Sequence, residues 1–509
     1  MTDKILVTSC VALEKKYKKG LQLVLDAVHD LIAADKDHGL TTELIDISDR
    51  AKMKTLKGKA VISLGNERQC KDAVDAIYAS AKPDYLVLVD GPDVVPHLTL
   101  NNPTAGDGDA EVPSDLPYAS ETAYTSRDPA KYAAVTRVVG RIPGVTGAAK
   151  PDFIVKQLKA AAAHKSRKRA DYIDHFAISA QVWDVSTALS VENVFGSNVI
   201  NSSPPVGSPN VRTLLAPLSH FINCHGAEVD PQFYGQKGNN YPVAMATADV
   251  ANGAKRNAIV AAECCYGAQL FDPEQTGNAL PISNSYLDAG AIAFLGSTTI
   301  AYGPAEGNGA ADLLTQYFMI NVLAGSSLGR AFLEARQKFV QVQKMEDPVN
   351  VKTLAQFILL ADPSLQPCRD VGPGAEADPK VVDFPAARKV RRVALVAAGK
   401  AAVDSSGFPG KKVLRPARSL HNLVRKLARK RGFRTRTQDM TSFHVVGGAH
   451  YGLEMKNRGV QQKVVLVVKH RPAPARIARK KGRILPETRI LVAHAQDNRV
   501  TEIAEYVRR

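Results

Sequence analysis

The sequence is poor in features that mark membranes, secretion and metal clusters. No run approaches the roughly 18 consecutive apolar residues that a bilayer-spanning helix needs, so no membrane segment is expected. The opening residues, MTDKILVTSC, lack the basic, apolar and small-residue succession of a secretory leader and read as a first strand. Cysteine is scarce: 6 in 509 residues, with no paired spacing, which excludes a disulfide framework and favours a reducing, cytoplasmic setting. Structural zinc ligands about two to four residues apart are also missing. There is a single tryptophan, Trp183, and there is neither an internal repeat nor a low-complexity tract.

What remains is ordinary globular composition, 45% hydrophobic and 23% charged, in a chain long enough for roughly two to four domains. The net charge of +16 is unevenly spread. Residues 381–509 hold 30 Lys and Arg against 8 Asp and Glu, whereas residues 1–380 hold 36 against 42. A mildly acidic body therefore carries a strongly basic tail. Such a tail attracts polyanions at long range, so nucleic acid or an acidic protein is the partner expected for residues 386–509, with docking onto the acidic body itself as a further reading. The tail shows no zinc-finger spacing, aromatic ribonucleoprotein motif or clear recognition helix.

Along the first 370 residues, apolar runs alternate with amphipathic stretches. KILVTSC, KAVISLG, DYLVLVDG, HFAISAQV, HFINCHG, AIVAAEC and AIAFLGS read as strands buried on both faces of a parallel sheet. GLQLVLDAVHDLIAAD, QCKDAVDAIYASA and FIVKQLKAAAAHK read as helices between them. The alternation predicts an α/β fold. Its expected parts are an N-terminal α/β unit over 1–164, a second α/β unit over 165–370, a Pro- and Gly-rich linker over 371–385 and a small basic α/β domain over 386–509. In the last, RRVALVAAG, KVVLVVKH and TRILVAHA read as strands, and SLHNLVRKLARKRG as a helix with Leu420, Leu423, Val424 and Leu427 on one face.

Two of the buried strands stop at reactive side chains: HFINCHG at 220–226 and AIVAAECCYG at 258–267. In open α/β sheets, reactive groups sit just past the carboxyl ends of strands. Successive strand side chains point to opposite faces, so Cys224 and His225 do not share one metal, nor do Cys264 and Cys265. One residue from each pair gives a thiol and an imidazole, a nucleophile with its base. A free thiol has a pKa of about 8.5 and needs such a neighbour to become a thiolate near neutrality. Gly226 and Gly267 flank the two groups, where backbone amides can approach a substrate. The competing reading is a buried core cysteine and a satisfied core histidine.

An apolar strand ending in His-Gly, followed some forty residues later by one ending in an acidic residue, a small residue and Cys, resembles caspase-like cysteine peptidases. PDYLVLVDGPDVVP at 83–96, VPSDLPYA at 112–119 and VVGRIPG at 138–144 are similar to the first half of a gingipain-type catalytic domain. GAIAFLGSTTIAYG at 290–303, LGRAFLEARQKF at 328–339 and QFILLADPSLQP at 356–367 are similar to its closing half. The resemblance covers roughly residues 1–370 and implies a caspase/gingipain-like three-layer sandwich with a mostly parallel sheet in two α/β subdomains. It also implies a cysteine endopeptidase with His225 as catalytic histidine and Gly226 as an oxyanion-hole residue. The nucleophile is Cys265 in the favoured register, with Cys264 open as the other choice. No acidic assistant to the histidine is matched; Thr136 stands near its expected place.

In this family one pocket reads the residue before the cut, and a basic residue there needs a buried carboxylate. Asp152 and Asp115 are the two candidates by position, with Trp183 as a further pocket-lining residue. Asp152 also fits the first turn of a helix, and Asp115 a turn. No cofactor is required for this chemistry. Asp107, Asp109 and Glu111 alternate as calcium ligands do, without the full twelve-residue loop pattern, so calcium is the lesser expectation there. If the pocket takes basic residues, AARKVRR at 386–392 is a natural self-cleavage site. The alternative function is a non-catalytic binding module that holds nucleic acid or an acidic partner through the basic domain.

Overall fold

Val-, Ile- and Leu-rich segments form strands in which every residue is buried, as the unbroken apolar runs require. The computed structural model describes residues 2–104, 107–369, 384–404, 406–412, 417–433, 440–447, 463–470, 488–496 and 499–509. The central sheet contains β1 (Lys4–Thr8), β2 (Thr42–Asp46), β3 (Tyr85–Val89), β4 (Val139–Ile142), β5 (His175–Ala180), β6 (Asn201–Ser203), β7 (Ser219–Asn223), β8 (Ile259–Ala262), β9 (Ala293–Ser297) and, after the separate short strand β10 (Tyr302–Pro304), β11 (Phe357–Leu360). Its order is β2-β1-β3-β4-β11-β9-β8-β7-β5-β6. Strands β2 to β11 in that order are parallel to one another, as are β9 to β6. The two sets meet antiparallel where Phe294 of β9 faces Leu360 of β11.

Two α/β halves are thus fused through one continuous sheet, and their strand ends point in opposite directions. Helices α1 (Leu21–Asp37), α2 (Glu67–Ala81), α3 (Asp152–Ala162), α4 (Asp184–Phe195), α5 (Ala310–Leu323), α6 (Leu328–Val342) and α7 (Pro348–Gln356) pack around it. The fold is a mixed α/β sandwich with a large, mostly parallel sheet. Among the described residues no helix is long and apolar enough to cross a membrane, and all six cysteines are free.

Two segments read as strands in sequence take other forms. Residues 59–65 are irregular: only Val61 is buried, while Ile62 and Leu64 are exposed. The Gln69 side-chain oxygen accepts from the backbone N–H groups of Ile62 and Ser63, in place of a ladder partner. RRVALVAAG instead belongs to helix α8 (Phe384–Asp404). There the Gln337 amide donates to the Leu395 carbonyl, and Gly399 lies where any side chain would strike the Val135 carbonyl. An Ala-rich segment can follow either pattern, and packing on α6 decides it. Most of the 371–385 linker lies outside the described residues.

The basic region forms a second sheet, antiparallel throughout, from β12 (Gly407–Lys412), β13 (Met440–Gly447), β14 (Lys463–His470), β15 (Arg489–Gln496) and β16 (Arg499–Arg508). Helix α9 (Arg418–Lys430) covers it, burying Leu420, Val424 and Ala428 against Leu466, Val468, Leu491 and Ala493. The buried stripe runs at four-residue steps, which leaves Leu423 exposed. Strand β16 pairs with β15 on one side and, on the other, with β10 of the body, Tyr302 facing Arg508.

Buried ion pairs tie the body together. Lys4, at no exposure, pairs with Asp35 at 2.9 Å and with Asp362. Arg141 pairs with Asp115 at 2.6 Å and donates to the carbonyls of Asp90 and Val95 at 3.0 and 2.8 Å. Burial alone would raise the Asp115 carboxyl; Arg141 and His97 outweigh it and hold it below the ordinary carboxylate range. Replacing Arg141 with Leu leaves that carboxylate and two carbonyls without their donor. Chemical denaturation is expected to show a loss of about 3–5 kcal/mol, and an unchanged midpoint would refute this role.

Candidate active site

The site grows from the register of two neighbouring strands. Parallel β7 and β8 pair Ile222 with Ala262, an offset of 40 residues. Beyond the last pairs the two segments stay side by side, Cys224 against Cys264 and Gly226 against the Cys265 backbone. The backbone N–H of Cys224 lies 3.4 Å from the Cys264 sulfur. A side chain on Gly226 would overlap the Cys265 carbonyl, so glycine is what allows the two strand tips to meet.

Alternation separates the two thiols. Cys264 turns into the core with Cys224, Phe233 and Tyr286, and its sulfur donates to the Ile222 carbonyl at 3.7 Å. Burial, with Cys224 beside it, pushes that thiol far above its ordinary pKa. Cys265 emerges on the other face. Its sulfur accepts from the Ala301 N–H at 3.2 Å and donates to the main-chain oxygen of Arg509. Burial raises the Cys265 pKa as well, while the neighbouring Arg508 guanidinium opposes the rise. Tyr266, the next residue, takes a left-handed φ of 55°, which makes the turn after Cys265 sharp.

His225 and Gly226 form a short antiparallel pairing with Phe233 and Tyr234. The imidazole packs against Trp183, with ring centroids 4.3 Å apart, and against Tyr241 at 5.2 Å. Its Nε2 lies 2.7 Å from the Gln236 side-chain oxygen. The Gln236 amide nitrogen donates to the Gly238 carbonyl and the Tyr241 hydroxyl, which fixes the amide oxygen towards the ring. A carbonyl oxygen only accepts, so Nε2 carries the proton and Nδ1, buried without a partner, has its lone pair free. Burial drives the imidazole pKa down to about 3; Gln236 opposes this, and Arg508 and Arg509 reinforce it. Thiol and imidazole are both neutral in this state.

The side chain of Arg509 fills a closed pocket at no exposure. Its Nη2 lies 3.0 and 3.2 Å from the two carboxylate oxygens of Asp312 and 3.2 Å from the Ser186 hydroxyl. The guanidinium carbon sits 4.7 Å from the centre of the Trp183 ring. A Cβ on Gly303 would collide with that guanidinium, so this glycine leaves the pocket open. Beneath lies Glu263, fully buried, whose carboxyl is held protonated by burial and by the adjoining Asp312; Thr315 donates to it at 3.1 Å.

The two expected pocket acids lie elsewhere. Asp152 is exposed at the start of α3, and Asp115 is committed to Arg141 and His97. Asp312 stands where a carboxylate was sought, at the third position of α5, where it also accepts from the Gly309 N–H. In sequence, Gly309-Ala-Ala-Asp312 reads only as a helix start. Gln236 and Ser186 gave no signal either. Trp183 lies against the Arg509 guanidinium and the His225 ring. Asp107 and Asp109 each lie 2.6 Å from the buried Lys352 ammonium, which they share, and Glu111 is exposed. Among the described residues no group of three or more His, Cys, Asp or Glu could hold a metal.

Fold and site together define a class: an α/β protein in which a buried thiol and a buried imidazole stand at the ends of neighbouring parallel strands. The chain belongs to peptidase family C25, the gingipain family, whose model matches residues 15–368, and it is a cysteine peptidase. A solved structure described as that of a protease is similar at 11% identity and a TM-score of 0.44, over 100% of this chain and 97% of that one. No curated protein matches by sequence.

With selectively labelled histidine, nitrogen NMR is expected to show His225 as the Nε2–H tautomer and still neutral at pH 5. An imidazole titrating near 6.5, or the opposite tautomer, would contradict the Gln236 arrangement.

Proposed function

We propose that the protein is an endopeptidase that cuts after arginine by means of a Cys265–His225 dyad. The observation carrying this reading is the position of Arg509: its guanidinium rests on Asp312 while its main-chain oxygen meets the Cys265 sulfur. A substrate arginine in the same pocket presents its scissile carbonyl to the thiol.

In the reaction, Nδ1 of His225 takes the thiol proton and Cys265 attacks the carbonyl carbon. The backbone amides of Gly226 and Cys265 are assigned to the developing oxyanion. The C–N bond breaks, His225 returns the proton to the leaving amine, and a thioester remains. Water, deprotonated by the same imidazole, then releases the acid and the free thiol. No metal or cofactor enters this scheme. Arginine is preferred over lysine because a planar guanidinium can meet the Asp312 carboxylate through Nη2 while lying against the Trp183 ring.

Substrates enter extended, as an added strand on the edge formed by residues 301–305. Self-processing within 386–392 would first require α8 to unwind, since that stretch lies in its opening turns. Membership in a peptidase family favours catalysis over a binding module that holds nucleic acid or an acidic partner.

Profiling a mixed peptide library tests the reading. In the Arg509→Ala protein, cleavage after arginine is expected, abolished by adding Cys265→Ala and kept on adding Cys264→Ala within about tenfold. Asp312→Asn is expected to lower kcat/KM for arginine substrates about a hundredfold or more, from the loss of a buried charge partner. Activity that survives Cys265→Ala, or an arginine preference untouched in Asp312→Asn, would refute it.

A further inference from the structure

We propose that the C-terminal strand, through Arg508 and Arg509, is a built-in occupant of the peptide-binding cleft, so that the protein excludes external substrates until this strand leaves. The proposal rests on the arginine pocket described above and adds its regulation in cis.

Four independent contacts make the occupancy specific. First, the backbone of β16 pairs with β10 in antiparallel register, Tyr302 with Arg508, Gly303 with Val507 and Pro304 with Tyr506. The pairing extends at both ends: the Arg509 N–H donates to the Ala301 carbonyl, and the Ala305 N–H to the Glu505 carbonyl, both at 3.0 Å. Second, the Arg509 guanidinium is matched to Asp312 and Ser186 as set out above. Third, Arg508 reaches the Gly226 carbonyl at 3.5 Å, on the histidine side of the cleft. Fourth, the Tyr506 hydroxyl donates to the buried Asp347 carboxylate at 2.6 Å.

The consequence is competitive. A sheet edge offers one row of N–H and C=O groups, and one strand fills it. Residues 301–305 are already paired, the pocket is already filled, and Cys265 and His225 have almost no exposure. An external peptide needs the same edge, the same carboxylate and the same sulfur. The apparent affinity for it falls to the intrinsic affinity multiplied by the fraction of molecules in which the strand is released. Because β16 is also an integral strand of the basic domain, paired along its length with β15, whatever moves that domain moves the plug.

The test measures access to the thiol separately from catalysis. The full-length chain is treated with iodoacetamide, and alkylation at each cysteine is followed by mass spectrometry, with the partly exposed Cys10 as internal control. Arg509→Ala is expected to speed alkylation of Cys265 about tenfold or more with Cys10 unchanged. Asp312→Asn, which weakens the pocket from its other side, should do the same while lowering cleavage of arginine peptides. The peptide Glu-Tyr-Val-Arg-Arg, a copy of residues 505–509, should restore protection to the Arg509→Ala variant. Equal Cys265 alkylation in the full chain and in both variants, each with its thermal transition intact, would overturn the proposal. Faster alkylation without peptide cleavage by any variant would keep the occupancy and count against the peptidase mechanism instead.

Discussion

The site depends on one constraint: β7 and β8 run parallel, side by side, in a register that offsets them by 40 residues. That pairing sends residues of one parity into the core and those of the other into the cleft. Cys224 and Cys264 meet in the interior, and His225 and Cys265 emerge at the neighbouring tips. A slip of one residue would invert every side chain in the pair, placing Cys264 in the cleft and burying Cys265. The close approach at Gly226 holds the register at its most sensitive point, because no larger residue fits beside the Cys265 carbonyl.

Electrostatics around the site follows from how little water reaches it. Glu263 and Asp312 lie together under the arginine pocket, and burial keeps the first of them protonated. One of the two carboxyls is thereby neutral, and Asp312 is the partner of the guanidinium. On the other side of the cleft, burial keeps both the Cys265 thiol and the His225 imidazole uncharged. Opening the cleft to water would relieve the desolvation of both groups and move each towards its ordinary range. In the proposed occupancy, the chain's own strand closes the pocket and keeps water from the thiol and the imidazole.

Much of this was legible in the sequence, and the reasons are local. Buried parallel strands announce themselves by unbroken apolar runs, and a run that ends in a reactive residue marks a strand tip. Alternation alone favoured pairing His225 with one of two adjacent cysteines. The arginine pocket was not legible, because its members come from distant elements: Trp183 before α4, Ser186 within it, Gly303 in β10 and Asp312 in α5. An aspartate at the third position of a helix looks like a cap in any sequence. Asp152 suited the expected spacing and proved to be an exposed helix-start charge. Charge asymmetry allowed for docking of the basic domain on the acidic body, but it could not reveal a strand pairing with residues 302–304. Such long-range pairing leaves no periodic trace.

The most direct measurement of the central claim is covalent trapping. A peptidyl-arginine acyloxymethyl ketone would be added to the Arg509→Ala protein and the modified residue located by mass spectrometry. The structure predicts a single adduct, on Cys265, that is lost in His225→Ala and markedly reduced in Asp312→Asn. An adduct on Cys264, or one indifferent to both substitutions, would contradict the geometry on which the account stands.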